Sequence, residues 1–264
     1  MIGAWTKEGL SMWNAEIYNR YGKERIEPSI DLVARIREMK FQRILDVGCG
    51  TGMSTVTLVS TWENAEIIGI DMSKEMLEKA REILPTVTFI QRDCSKSLLD
   101  VGTFDLIFSN AFIQWLSNQE EFIANAFSML NKKGIFAAQI PLFEEMPANS
   151  CVIKAEEIFA DKFNGIEKDK YVLYSASKYY DMAAKCTEKI EMWITDYCHE
   201  MDNHENILEF LRGAALRPYI NRLNEEEQKL FMDEVLKNLE VEYQYQANGK
   251  ILFPFKRLFL VGQK

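Results

Sequence analysis

The sequence predicts an α/β fold: a doubly wound, mostly parallel sheet of seven strands with a helical lid built from insertions. Three observations carry that prediction. Short apolar runs alternate with helical stretches through the first 140 positions, the rhythm of βαβ units whose strands are covered on both faces. A glycine-rich turn, Gly48-Cys49-Gly50-Thr51-Gly52, follows the first apolar run. The rhythm breaks after Pro141, yet two strand-like runs return at 189–201 and 250–262 and complete the same sheet.

Taken in order, residues 28–40 begin with Pro28, suited to a first helical turn, and set Ile30, Val33 and Ile36 on one face. RILDV (43–47) is a buried strand, and a helix begins near Thr51 beyond the glycines. EIIGID (66–71) is the second strand. Ser73 caps the next helix, whose Met76, Leu77 and Ala80 recur at helical spacing until Pro85 stops it. VTFIQRD (87–93) and FDLIFSN (104–110) are strands three and four. Ser117 and Glu120 form a capping box before a helix that ends near Gly134, and GIFAAQI (134–140) is the fifth strand. Beyond it, 148–163, 175–186, 203–213 and 224–240 read as helices, with the EEE run at 225–227 solvating a helix start. No Pro/Gly/Ser-rich linker, repeat or low-complexity segment interrupts the chain. The helices of 141–187 and 202–247 are expected to form a lid above the carboxyl edge of the sheet, where open α/β sheets hold their ligands.

Composition narrows the function. With 264 residues, 47% hydrophobic and 27% charged, the chain buries a real core. A net charge of −9 argues against affinity for nucleic acid or anionic membrane, so an anionic substrate needs a local cationic pocket. MIGAWTKEGLSMW lacks the pattern of a signal peptide, and ILFPFKRLFLV is too short and too charged to span a bilayer. Cys49, Cys94, Cys151, Cys186 and Cys198 are scattered and form no CxxC pair, which points to a reducing, cytoplasmic setting. His199 and His204 are the only imidazoles, so no metal site is expected.

The strongest motif is Asp46-Val47-Gly48-Cys49-Gly50-Thr51-Gly52. Glycines at a strand-to-helix turn let the backbone approach a ligand, and the helix start is expected to offer unpaired N–H groups. A dinucleotide fingerprint would place its third glycine at 53, where Met53 stands instead. An acid at position 46 suits an amino-bearing ligand and sits poorly beside a pyrophosphate. Asp71 ends the second strand 25 residues later, where a carboxylate accepts ribose hydroxyls. Asp93 and Cys94 end the third, placed for an exocyclic amine and a ring nitrogen. Asn110 ends the fourth beside the expected reaction centre. Each acid alone also serves well as a helix cap or a solvated loop residue; the four strand ends together describe a nucleoside site.

DVGCGTG, IGIDMS, QRDC and FDLIFSN resemble the class I S-adenosylmethionine-dependent methyltransferases over about residues 43–140. WNAEIYNRYGKERIEP (13–28), SNAFIQWL (109–116), YCHEM (197–201), LRPYI (216–220) and NGKILFPFKRLFLV (248–261) resemble the trans-aconitate methyltransferases. The resemblance implies a Rossmann-like class I methyltransferase over 1–264 as a single domain, with its lid drawn from 1–27, 141–187 and 202–247. It also implies S-adenosyl-L-methionine as donor, S-adenosyl-L-homocysteine as product, and a small tricarboxylate as acceptor. Asp46 with the backbone of Gly48, Cys49 and Gly50 would then face the methionine end, Asp71 the ribose, Met72 the adenine face, Asp93 and Cys94 the adenine edge, and Asn110 the reacting end.

A carboxylate acceptor is ionised at neutral pH, so no catalytic base is expected and catalysis rests on proximity and orientation. Arg25, Arg217 and Arg257 are the expected cationic anchors, with Lys256 less specific; Trp115, Tyr197, His199 and Tyr219 are expected to line the acceptor pocket. For any one of these arginines a surface charge, and for Trp115 a core aromatic, is the plain alternative. The expected partner is a small carboxylate, with no nucleic acid or membrane, and the protein is expected to act as a monomer. Other readings are a methyltransferase acting on a carrier-bound malonyl thioester, an N- or C-methyltransferase with a base beside its acceptor, and a noncatalytic donor-binding regulator.

Overall fold

A computed structural model describes residues 22–166, 171–213 and 215–264, with the backbone alone at Lys23. The chain divides into two compact units. The first holds residues 22–140, 174–193 and 258–264; the second holds the described part of 141–173 and 194–257.

The seven expected strands form one sheet. They are β1 (Arg43–Val47), β2 (Glu66–Asp71), β3 (Thr88–Gln91), β4 (Phe104–Asn110), β5 (Leu130–Pro141), β6 (Lys189–Met201) and β7 (Ile251–Gln263), in the order β3-β2-β1-β4-β5-β7-β6. β1 pairs in parallel with β2 and β4, β2 with β3, and β4 with β5. Lys264 N–H donates to Gly134 O at one end of β5 and Leu142 N–H to Lys256 O at the other, so β7 runs against β5. β1, β2 and β4 are apolar and buried along almost their whole length, as expected of strands covered on both faces.

In the first unit, α1 (Gly22–Ile36), α2 (Met53–Thr61), α3 (Lys74–Ile83), α4 (Gln119–Met129) and α6 (Ala176–Ala184) accompany the sheet. Ser73 caps α3 as expected, accepting from Met76 N–H. Other boundaries differ from the sequence reading. α1 already runs at Gly22, so Pro28 lies inside it. An interior proline removes one helical bond; the buried face of Ile26, Ser29, Leu32, Val33 and Ile36 offsets that loss. β3 is shorter than 87–93 because Asp93 folds back onto Ser95. The Ser117–Glu120 capping box does not form. Asn118 occupies the cap position without a capping bond, and Glu120 pairs with Lys185 and Lys178 instead. α4 ends at Met129 rather than near Gly134, since Leu130 is drawn into the sheet opposite Phe104 and Lys133 turns the chain with φ 65°.

The second unit contains α5 (Pro147–Ile158), α7 (His204–Arg212), α8 (Arg217–Ile220) and α9 (Glu225–Glu242). α9 opens on a capping box between Asn224 and Glu227 and buries Phe231, Val235 and Leu239. The expected lid segment 141–187 is divided: α6 belongs to the first unit. There Tyr179 is fully buried and its hydroxyl donates to Gln119 Oε1 at 2.8 Å. Of the expected lid segment 1–27, residues 1–21 lie outside the described residues. None of the described helices is long and apolar enough to cross a membrane.

Candidate active site

Four parallel strands end at one edge, which gathers Asp46 and the turn after β1, Asp71 on β2, Asp93 beyond β3 and Asn110 on β4. Gly48, Gly50 and Gly52 all take positive φ (72°, 53° and 84°). At Gly48 the requirement is doubled, because a Cβ there would stand 2.1 Å from the Phe112 ring.

The first amides of this turn point inward. Gly48 and Cys49 N–H donate to Ile70 O at 2.8 and 3.1 Å, Gly50 N–H to Asp71 Oδ2 at 3.0 Å, and Gly52 N–H to Cys49 O at 2.9 Å. The neighbouring end of β2 supplies the acceptors for Gly48, Cys49 and Gly50, and the turn's own Cys49 carbonyl the one for Gly52.

Asp46 is 0% exposed. Ser54 Oγ and Thr55 Oγ1 donate to its Oδ2 at 2.8 and 2.7 Å, while Oδ1 has no partner among the described residues. Burial pushes its carboxyl up to about 6; the two hydroxyls oppose the rise and nearby Asp71 adds to it. Ser54 and Thr55 escaped the sequence reading, since nothing local distinguishes them from ordinary first-turn helix residues. Asp71 receives Gly50 N–H on one oxygen and Ser73 N–H on the other, at 3.0 and 2.8 Å, which fixes its plane and leaves a lone pair on each oxygen. Beside it Met72 is 68% exposed, an apolar side chain presented to solvent.

Asp93 Oδ1 accepts from Ser95 N–H and Oγ, which, with Lys96 nearby, holds its carboxyl below the usual range. Burial, with Asp71 and Asp93 adding, pushes the Cys94 thiol up to about 12; burial also raises that of Cys49. Both thiols are therefore neutral, and that of Cys49 packs in the apolar cluster of Leu77, Ala80, Leu84 and Phe89. Asn110 Oδ1 is buried with no partner among the described residues. Gln114, inside the SNAFIQWL segment but unassigned from sequence, is buried nearby in the chain and bonds back to Ala111.

The expected acceptor residues fall in both units. In the second unit Tyr197, His199 and Arg257 are buried together: the Tyr197 and His199 rings lie 6.1 Å apart and nearly parallel, and Arg257 Cζ is 5.9 Å from the Tyr197 ring and 4.5 Å from that of Phe255. Burial, helped by Arg257, lowers the His199 imidazole to about 4. Tyr219 packs instead on Phe163 and Phe231 and donates to Glu156 Oε2 at 2.8 Å. Arg217, at the start of α8, is exposed. In the first unit Arg25 is exposed on α1 and Trp115 is partly exposed after β4.

The sheet order, with β7 reversed between β5 and β6, and the acid-glycine edge define a class I methyltransferase. Residues 39–205 match a family model described as a methyltransferase domain. Among solved structures, the YcgJ protein from Bacillus subtilis aligns with 90% of this chain and 98% of its own at TM-score 0.58 and 17% identity. Haemonchus contortus phosphoethanolamine N-methyltransferase 2, solved with S-adenosyl-L-methionine, aligns with 89% of this chain and 52% of its own at TM-score 0.53 and 18% identity. Trans-aconitate 2-methyltransferase of Escherichia coli is 34% identical over 97% of this chain and 99% of its own length. The protein of that name from Shigella flexneri is 33% identical over the same shares. The chain belongs to the trans-aconitate methyltransferase family, and it is a methyltransferase.

Proposed function

We propose that this protein is an S-adenosyl-L-methionine-dependent carboxyl O-methyltransferase that esterifies a small tricarboxylate such as trans-aconitate, acting as a cytoplasmic monomer. The observation that carries the reading is the end-to-end similarity to proteins named for that activity.

The edge residues suit the donor. A buried carboxylate oxygen at Asp46 with no donor among the described residues is matched by an ammonium group. Asp71, held in plane, has lone pairs for two ribose hydroxyls, and exposed Met72 offers an apolar face to adenine. Gly48, Cys49 and Gly50 line the methionine end, Asp93 and Cys94 the adenine edge. When bound, the donor supplies a sulfonium methyl: the acceptor oxygen forms the new C–O bond as the C–S bond breaks and its electron pair stays on sulfur.

The chain's own part is to bind, align and dehydrate. An ionised carboxylate needs no base, and holding the reactants in line is worth about 7–11 kcal/mol. Asn110 stands at the reacting end. For the acceptor we assign Arg257, with His199 and Tyr197, as the principal carboxylate anchor, because these three share one buried cluster. Arg25, Trp115, Arg217 and Tyr219 are assigned supporting contacts, and the helices of 141–173 and 202–247 supply acceptor recognition within one functional domain.

The test is incubation with methyl-labelled donor and a panel of trans-aconitate, cis-aconitate, citrate, isocitrate and a malonyl carrier protein, read by mass spectrometry. A base-labile ester on trans-aconitate is expected. Label on the carrier alone, or an alkali-stable product, overturns the reading.

A further inference from the structure

Gln114 sits in the short 3-10 turn Ile113–Trp115 just after β4 and is 4% exposed. Its Nε2 donates to Ala111 O at 2.7 Å. A backbone carbonyl only accepts, so the amide has one orientation, and its Oε1 faces the other way with no donor among the described residues. Asn110 Oδ1, at the end of β4, is likewise buried with no donor among the described residues.

The turn that carries both is braced on two sides. Ala111 is held at φ 54°, a region that a residue with a Cβ rarely takes, and its N–H is bound to Gln139 O of β5 at 2.9 Å. Phe112 lies against Gly48 of the glycine turn. Two desolvated acceptor oxygens within five residues are unfavourable for folding alone. Neither attracts an anion, since an ionised carboxylate brings no hydrogen to an acceptor. Both attract positive charge.

We propose that Gln114 Oε1, together with Asn110 Oδ1, forms an electronegative wall that receives the sulfonium end of the donor and makes the site prefer the cationic donor to its neutral thioether product. This assignment rests on the donor reading above. A sulfonium spreads its positive charge over the adjoining methyl and methylene hydrogens, which a fixed carbonyl dipole in a dry site stabilises; a thioether offers it much less.

The test compares affinities. S-adenosyl-L-methionine and S-adenosyl-L-homocysteine are titrated calorimetrically into the wild-type protein and into Gln114→Met, which keeps the volume and removes the oxygen. Donor affinity is expected to fall roughly ten-fold and product affinity less than two-fold. Equal losses for both ligands, or none, overturn the assignment, because a merely structural role moves both alike.

A second measurement needs no variant. An analogue carrying a protonated amine in place of the sulfonium is expected to bind the wild-type protein at least five-fold more tightly than the thioether, and equal affinities overturn the assignment. If the wild-type protein binds neither donor nor product, the donor reading itself falls and this assignment with it. Binding of both with an unmoved ratio in Gln114→Met overturns this assignment and leaves the donor reading standing.

Discussion

Asp46 joins binding and stability in one side chain. Its carboxyl stands at about 6 in the fold against an ordinary 3.8, chiefly through burial. A raised value means the folded state holds this proton more tightly than the unfolded chain does. Its stabilising contribution is therefore complete below about pH 4 and lost as pH rises through about 6. Asp46→Asn is expected to remove that penalty and raise stability at pH 8 by about 1–3 kcal/mol, with little gain near pH 4. Urea unfolding at the two pH values reads the difference. Binding runs the other way, since an ammonium group requires the ionised form. Wild-type donor affinity is expected to weaken below pH 6, approaching ten-fold per unit, whereas Asp46→Asn binds weakly throughout and shows no inflection in calorimetry from pH 5 to 7. Among the acceptor residues, burial ranks Arg257 above Arg217. Arg257→Lys is expected to raise the tricarboxylate KM at least ten-fold with donor Kd unchanged, and Arg217→Ala to change it less than three-fold; steady-state kinetics beside calorimetry checks both. That Asp46, Asp71, Asp93 and Asn110 stand at one edge of the sheet was legible because a strand end is a local pattern. The hydroxyls of Ser54 and Thr55 and the fixed amide of Gln114 were not, because their roles depend on where a side chain turns in space.

At the level of elements, buried strands announced themselves and helix ends did not. RILDV, EIIGID and FDLIFSN are apolar runs framed by turn residues, and the sheet has them where the sequence put them. One misplacement has a plain cause: a polar residue with a good local partner took a distant one. Glu120, read as half of a capping box, is held by Lys185 and Lys178, 65 and 58 positions later in the chain. Those same contacts draw α6 to α4 and so to the first unit, where a sequence reader following chain order assigns it to the insertion. The buried Tyr179 hydroxyl bond to Gln119 secures this pairing. Tyr179→Phe leaves a buried amide oxygen with one donor fewer and is expected to cost about 1–2 kcal/mol, measured by urea unfolding, with donor affinity unchanged. If the helix pair were held by its apolar contacts alone, the substitution would be neutral.

Across the whole molecule, a charge of −9 repels a tricarboxylate at long range, whatever its local anchors do. Raising ionic strength from about 0.01 to 0.1 M shortens the screening distance from about 30 to 10 Å. Acceptor kcat/KM is accordingly expected to rise two- to five-fold over that interval, seen in initial-rate measurements; a steady fall would mean that the local cations dominate the approach. The seven-stranded, mostly parallel sheet was legible because short connections and right-handed crossovers leave few arrangements for alternating strands and helices. The grouping of helices into two units was not, because it depends on contacts between residues far apart in the chain. Gly48, Cys49 and Gly50 have given their hydrogens to the end of β2 and cannot turn them to a phosphate. Nicotinamide dinucleotides, whose pyrophosphate leans on the backbone of such a turn, are therefore expected to compete poorly here, however well their adenosine halves match.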